Sequence, residues 1–135
     1  MNSAISNLAV LLCSMEPELR RDVYAYCVVP HGSDISALSP AATVAEAEGL
    51  TLILPEQQAV NAGLSVVFRA AWITLRVHSD LHAVGLTAAF ASALGHAGIS
   101  CNVIAGTFHD HILVPVEQAQ QALGALKALQ QQSGQ

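Results

Sequence analysis

Charged side chains are scarce in this sequence, at 11% of 135 residues. Ten acidic and five basic residues give a net charge of −5. Nucleic-acid binding requires a patch of Lys and Arg for phosphate contacts, and anionic lipid requires a similar patch. The densest basic feature here is the pair Arg20 and Arg21. We therefore predict neither a nucleic-acid partner nor a membrane partner.

Long apolar runs and export signals are also missing. No apolar stretch reaches the roughly 18 residues that a membrane-spanning helix needs. The first fifteen residues contain no Lys or Arg, whereas a secretory signal begins with a charged segment. We therefore expect a cytoplasmic protein.

Catalytic and metal-binding motifs are absent from the sequence as well. The three cysteines, Cys13, Cys27 and Cys101, are widely spaced and form no CxxC pair, so we expect buried thiols. There is no P-loop, GxGxxG or GxSxG motif, and no spacing places a nucleophile beside a base and a group to orient it. The sequence thus predicts no enzyme activity, no catalytic residues and no cofactor.

Apolar residues are abundant, at 53% of the chain. That content suffices for a sizeable core in a chain of this length. Because so little charge is left for the surface, we expect a partner subunit to cover some apolar area, and we predict a homodimer.

The second half has a clear order of elements. Alternating and apolar segments predict a strand at 71–77, an apolar helix at 84–97, strands at 99–105 and 111–116, and a helix at 117–130. One additional strand would complete the ferredoxin-like βαββαβ pattern.

The first half alternates more loosely. We expect a short helix at 5–15, strands at 22–30, 50–54 and 64–68, a helix-prone segment at 43–48 and a helical turn at 56–62. The prediction is an α+β fold of two ferredoxin-like units, at 1–68 and 69–135, with antiparallel sheets and helices on one face.

Four segments carry a resemblance to a known family: EAEGLTLILP at 46–55, HSDLHAVGLTAA at 78–89, GISCNV at 98–103 and HDHILVP at 109–115. Together they resemble a bacterial family of small proteins with tandem ACT-like units, distantly similar in architecture to eukaryotic cytosolic arginine sensors. The resemblance implies an ACT-type fold that binds an amino acid or similar metabolite at an interface and serves a regulatory or sensor role. Any regulatory output would pass through a separate protein partner.

A binding site is predicted where the loop at 78–85 enters the helix. The first N–H groups of a helix lack internal partners and favour an anion. We expect those of Val84, Gly85 and Leu86 to bind a ligand carboxylate, with Gly85 allowing close approach of the backbone. Alternatively, Ser79 or Asp80 caps the helix, and both are included in the candidate site.

Two polar residues in the following strands extend this site. Asn102 interrupts an apolar strand and is expected to face the ligand or a neighbouring loop. In ACT domains this strand commonly lines the pocket, which adds Ile104. Asp110 is expected to pair with a ligand ammonium, unless it caps a local turn. We expect the three elements to converge at one end of the sheet.

Two alternatives remain. The histidines at 78–82 and 109–111 are compatible with a metal-dependent or acid/base enzyme, although one HxH with no spaced third ligand is weak evidence, and we predict no metal. The chain is also compatible with a purely structural oligomerisation module.

Overall fold

The computed structural model describes residues 8–77, 81 and 84–133. One antiparallel sheet of six strands, in the order β2-β3-β1-β4-β6-β5, carries the helices. The elements are α1 (Leu8–Ser14), β1 (Pro17–Val29), β2 (Ala42–Glu46), β3 (Gly49–Pro55), α2 (Glu56–Asn61), β4 (Phe68–Leu75), α3 (Leu86–His96), β5 (Asn102–Ala105), β6 (Asp110–Pro115), a 3-10 turn (Val116–Gln118) and α4 (Ala119–Ser133). In this part of the chain, no helix has the length and apolar character required to cross a membrane. The predicted α+β ferredoxin-like class is confirmed.

The two central strands belong to both halves of the chain. β1 pairs with β3 through residues 24–29 and with β4 through residues 17–26, with a bulge between Leu19 and Val23. The strands β2-β3-β1-β4 have the order of one ferredoxin-like unit, in which β4 of the second half is the fourth strand. The strands β5-β6-β4-β1 have the order of the other unit, in which β1 of the first half is the fourth strand. The halves therefore form one continuous sheet, and the boundary between residues 68 and 69 stays a prediction.

The strand registers reveal an internal two-fold repeat. Tyr24 of β1 pairs with Pro55 of β3, and in the second half Ala70 of β4 pairs with Pro115 of β6 in the equivalent way. The register between β2 and β3 is likewise the same as the register between β5 and β6. The repeat therefore superposes LILP at 52–55 on ILVP at 112–115. Where the second half has α3, residues 30–41 of the first half contain only turns and bends.

The helices cover one face of the sheet, as predicted. Strand alternation directs Ala71, Ile73 and Leu75 of β4 to this face, where α1, α3 and α4 pack. A smaller cluster in the first half is covered by α2 and by Ile35 and Leu38 of the loop after β1. These loop side chains occupy the place that a helix takes in the second half.

The opposite face holds a third cluster made of strand residues alone. Its fully or nearly buried members are Tyr24, Ile53, Ala70, Trp72 and Leu113. A cavity on this face is bordered by β2 and β3 and also by β5, at the far edge of the sheet. The sheet is therefore curled towards this side, which we call the concave face.

Several details of the sequence prediction were wrong. Residues 43–48, expected to be helix-prone, contain strand β2, because hairpin pairing with β3 through Gly49 outweighs the helix propensity of Ala and Glu. Residues 64–67, expected to be part of a strand at 64–68, are in no strand, and the strand expected at 71–77 begins at Phe68 instead. Cys27 is buried, but Cys101 is partly exposed and Cys13 is exposed, because α1 turns Leu11 and Leu12 inward instead.

The helix-side core gives a test of the fold. Phe90 is fully buried between the helices and the sheet. We expect Phe90→Ala to lower the free energy of unfolding by about 3–5 kcal/mol, because it removes apolar contacts and leaves a cavity. Val67→Ala, at a side chain 71% exposed, should change it by at most about 0.5 kcal/mol. Urea unfolding measures both, and similar values for the two would contradict this packing.

Candidate functional site

The end of β4 brings together two loops of the second half. Leu75, the last residue of β4, lies opposite Asp110, and Asp110 lies opposite Ala105. Residues 76 and 77 continue from β4 in the direction of α3, and the hairpin turn between β5 and β6 lies beside them. His109 connects the two loops, since its Nδ1 lies 3.3 Å from the carbonyl oxygen of Val77. We call this region the β4 end.

Helix α3 begins after residue 85, and no side chain of its N-cap residue bonds to the first N–H groups of the helix. Gly85 occupies the N-cap position with φ +102°, a conformation that favours glycine. Leu86 is buried in the helix-side core, and Val84 is 84% exposed. The predicted site residues Ser79 and Asp80, with His78 and His82, lie outside the described residues.

Asp110 is a buried carboxylate at the β4 end. Its side chain is 8% exposed, faces the helix side and makes no hydrogen bond or ion pair with any described residue. Burial raises the pKa of this carboxyl, and the neighbouring charge of His109 opposes the rise in part. Moving a charged carboxylate partly out of water is unfavourable for the folded state. A cationic group bound here would relieve that penalty.

Asn102 and Ile104 lie elsewhere. Asn102 is at the start of β5, opposite Leu113, and its Nδ2 donates to the Leu113 carbonyl oxygen at 3.3 Å. Both residues project from the concave face, whereas Asp110 projects from the helix side at the other end of the β5-β6 pair. The expected convergence of Asn102 with Asp110 was therefore wrong, because the strand register could not be read from the sequence.

The concave face contains a cavity of about 500 Å³. The residues that line it are Tyr26, Val44, Glu46, Thr51, Ile53, Cys101, Asn102, Val103 and Ile104. Burial raises the pKa values of the Tyr26 hydroxyl and the Cys101 thiol. Sequence reasoning missed Tyr26, Glu46 and Thr51; the alternation of the strands could have placed them on one face, but not beside β5.

Beside this cavity, the concave face is filled by an aromatic and cationic cluster. The Arg20 guanidinium lies 4.1 Å from the centre of the Trp72 ring and donates to the Tyr24 hydroxyl at 3.1 Å. His111 Nδ1 lies 3.0 Å from Thr74 Oγ1. Burial, Arg20 and His109 lower the pKa of His111, which favours the neutral ring.

The two described histidines of the HxH segment therefore serve different contacts. His109 contacts the backbone carbonyl of Val77, just after β4, while His111 contacts Thr74 and Trp72. Within residues 8–77, 81 and 84–133, no three His, Cys, Asp or Glu side chains are grouped to hold a metal ion.

The polar features of the second half have apolar counterparts in the first. The repeat superposes Asp110 on Leu50 and Asn102 on Ala42. The buried carboxylate is therefore present in one half only, although the backbone framework is duplicated.

Comparison with known proteins agrees with this duplicated framework. One ACT-domain family model matches residues 3–71 and a second matches residues 67–128. The chain belongs to the ACT-domain family, with two domains in tandem. That membership confirms the predicted resemblance and supports a ligand-binding regulatory role.

Solved structures give the same fold. A Vibrio cholerae protein of unknown function, described as a possible transport protein, is 52% identical, covers 91% of this chain and 95% of its own, and superposes with a TM-score of 0.83. The aspartate kinase regulatory subunit of Thermus flavus is 12% identical over 84% and 95% of the two chains, with a TM-score of 0.63. That of Thermus thermophilus, in a ligand-free form, is 13% identical over 86% and 96%, with a TM-score of 0.64. No curated protein sequence matches this chain.

The raised pKa of Asp110 predicts a pH dependence of stability. Because the folded carboxyl holds its proton to higher pH than the unfolded one, stability should rise as pH falls through the folded pKa. Asp110→Asn should remove this dependence and increase the free energy of unfolding at neutral pH. Urea unfolding between pH 4 and pH 8 is the measurement, and Asp22→Asn, an exposed acid, is the control. A wild-type pH profile that Asp110→Asn leaves unaltered would contradict the assigned burial.

Proposed function

We propose that this protein binds an amino acid at the β4 end and acts as a cytoplasmic regulatory or sensor homodimer without catalytic activity. The observation that carries the proposal is the buried side chain of Asp110, which makes no hydrogen bond or ion pair with a described residue. An α-ammonium group beside this carboxylate would supply the missing charge. ACT-domain membership favours the same class of ligand.

The start of α3 offers the complementary half of the binding chemistry. The first N–H groups of a helix and its dipole favour an anion, and Gly85 stands at the N-cap position of α3. An amino acid has both an ammonium and a carboxylate, so it matches an acid and a helix start at one end of a sheet. Val84 and Leu86 contribute backbone N–H groups in this arrangement, and Ser79 and Asp80 are further candidate contacts of the ligand.

Exposed apolar side chains around the β4 end support a dimer. Leu81, Val84 and Phe108, which are 65%, 84% and 66% exposed, lie in the two loops of this region. Large apolar side chains grouped on a surface are typical of an interface. A second copy that covers them would also enclose the ligand, and a separate protein partner would receive the regulatory signal.

The proposed site predicts how many ligands bind. Because Leu50 replaces Asp110 in the first half, we expect one amino acid per chain, measured by calorimetric titration after a thermal-shift screen of the amino acids. Asp110→Asn should weaken binding by about 1.5–3 kcal/mol, the usual value of a charge-assisted hydrogen bond. In the wild type, affinity should fall as pH falls through the Asp110 pKa, since protonation removes the charge.

The control for this titration is Asp22→Asn, which removes the same charge from an exposed position. Gly85 is a poor test position, because a Cβ there would lie 2.9 Å from Leu8 Cδ2 and φ is +102°. Its substitution would strain the fold and confuse stability with affinity. If no amino acid binds, the chain is better explained as an oligomerisation module. Unchanged affinity in Asp110→Asn would place the site elsewhere.

The proposed dimer has its own test. Sedimentation at micromolar concentration should give twice the chain mass of 14.1 kDa. Val84→Asp should shift the equilibrium to monomer, because it places a charge in the proposed apolar interface. Val67→Asp, at a valine before β4 that is 71% exposed, should leave the dimer intact. A wild-type monomer, or equal effects of the two substitutions, would argue against this interface.

A further inference from the structure

At two positions that line the cavity on the concave face, the first half carries smaller side chains than the second half. The repeat superposes Tyr26 on Trp72 and Thr51 on His111. In the second half, Trp72 and His111 contact each other, with ring centres 5.4 Å apart, and Arg20 stacks on Trp72. In the first half, a tyrosine and a threonine occupy these positions and leave about 500 Å³ open.

The walls of this cavity have the character of a small-molecule site. Its volume lies within the range of about 300–1,000 Å³ that is typical of ligand pockets. Val44, Ile53 and Ile104 make the walls apolar, and the half-buried ring of Tyr26 forms part of them. The cavity therefore fits a compact hydrocarbon or aromatic body.

The charge of the residues that line the cavity indicates which ligand groups fit there. Among the residues that the structure describes, Glu46 is the only charged one that lines the cavity. One of its carboxylate oxygens, Oε1, accepts a hydrogen bond from Thr51 Oγ1 at 2.6 Å, and the other has no hydrogen bond with a described residue. The side-chain oxygen of Asn102 is a further acceptor, because Nδ2 is the atom that donates to Leu113. These acceptors favour a donor with positive charge.

No cationic side chain of residues 8–77, 81 and 84–133 lines this cavity, so a ligand carboxylate would have no partner among them. We propose that the concave face binds a second small molecule, a primary amine on an apolar body and without a carboxylate. Its ammonium would be held by Glu46, Asn102 and the face of the Tyr26 ring, and its apolar part would lie against Val44 and Ile104. This site is separate from the β4 end and does not depend on the amino-acid proposal.

The test is an NMR titration of the isotope-labelled full-length protein with 3-methylbutan-1-amine. We expect saturable amide shifts at Tyr26, Val44 and Asn102. Leucine and 3-methylbutan-1-ol should bind at least about tenfold more weakly, as measured at these resonances. Leucine adds a carboxylate that has no partner in the cavity, and the alcohol lacks the positive charge. Absence of saturation by the amine, or equal binding by leucine at these positions, would overturn the proposal. Leucine shifts confined to Gly85 and Asp110 would report the other site alone.

Substitutions distinguish the cavity from the remaining surface. Glu46→Gln should weaken amine binding by about tenfold, and Glu48→Gln, at an acid that is likewise exposed but does not line the cavity, should not. Thr51→His places the larger side chain of the second half into the cavity and should abolish the saturable shifts. Thr51→Val keeps the volume open and should retain most of the affinity, which shows that the histidine acts by filling. Undiminished binding in Thr51→His, with a folded spectrum, would refute the assignment.

Discussion

The antiparallel pairing of β1 with β4 is the interaction on which the remainder of this structure depends. Each strand is the first strand of its own half and closes the sheet of the other half. The pairing thereby fuses two ACT domains into one six-stranded sheet and fixes where the helices, the β4 end and the concave face lie. It also accounts for the length of β1, which reaches from the helix-side core near Leu19 to the first-half cluster near Val29.

The two halves share a framework but differ in what fills it. A helix follows β4, whereas a loop anchored by Ile35 and Leu38 follows β1. Asp110 faces the helix side, and its counterpart in the first half is the aliphatic Leu50. Thr51 leaves space open on the concave face, whereas its counterpart His111 fills the corresponding space in the second half. Duplication of the backbone therefore does not produce two equal sites. Each proposed site arises at a position where the repeat changes in polarity or in size.

Most of the fold could be predicted from the sequence because apolar periodicity marks buried elements. It located β3, α3, β6 and α4 to within a few residues, and Asp110 was noticed because a carboxylate that pairs with a ligand ammonium would select amino acids. Strand β2 was missed because it is an edge strand with mostly exposed side chains, so packing left no pattern in it. Asn102 was assigned to the wrong end because register, which fixes both face and position, depends on pairing partners. Tyr26 and Glu46 meet β5 only through the curl of the sheet, which no local pattern encodes.

The exchange of closing strands has a consequence for how the chain can be divided. A fragment that ends between α2 and β4 would retain β1, β2 and β3 but lose the strand that covers the inner edge of β1, and the remaining fragment would expose the matching edge of β4. Such open edges recruit other strands, so each fragment alone is prone to aggregate. Mixed together, the fragments would cover each other's edges and reassemble. The central pairing also joins residues far apart in sequence, so folding must close a long loop before the sheet can form.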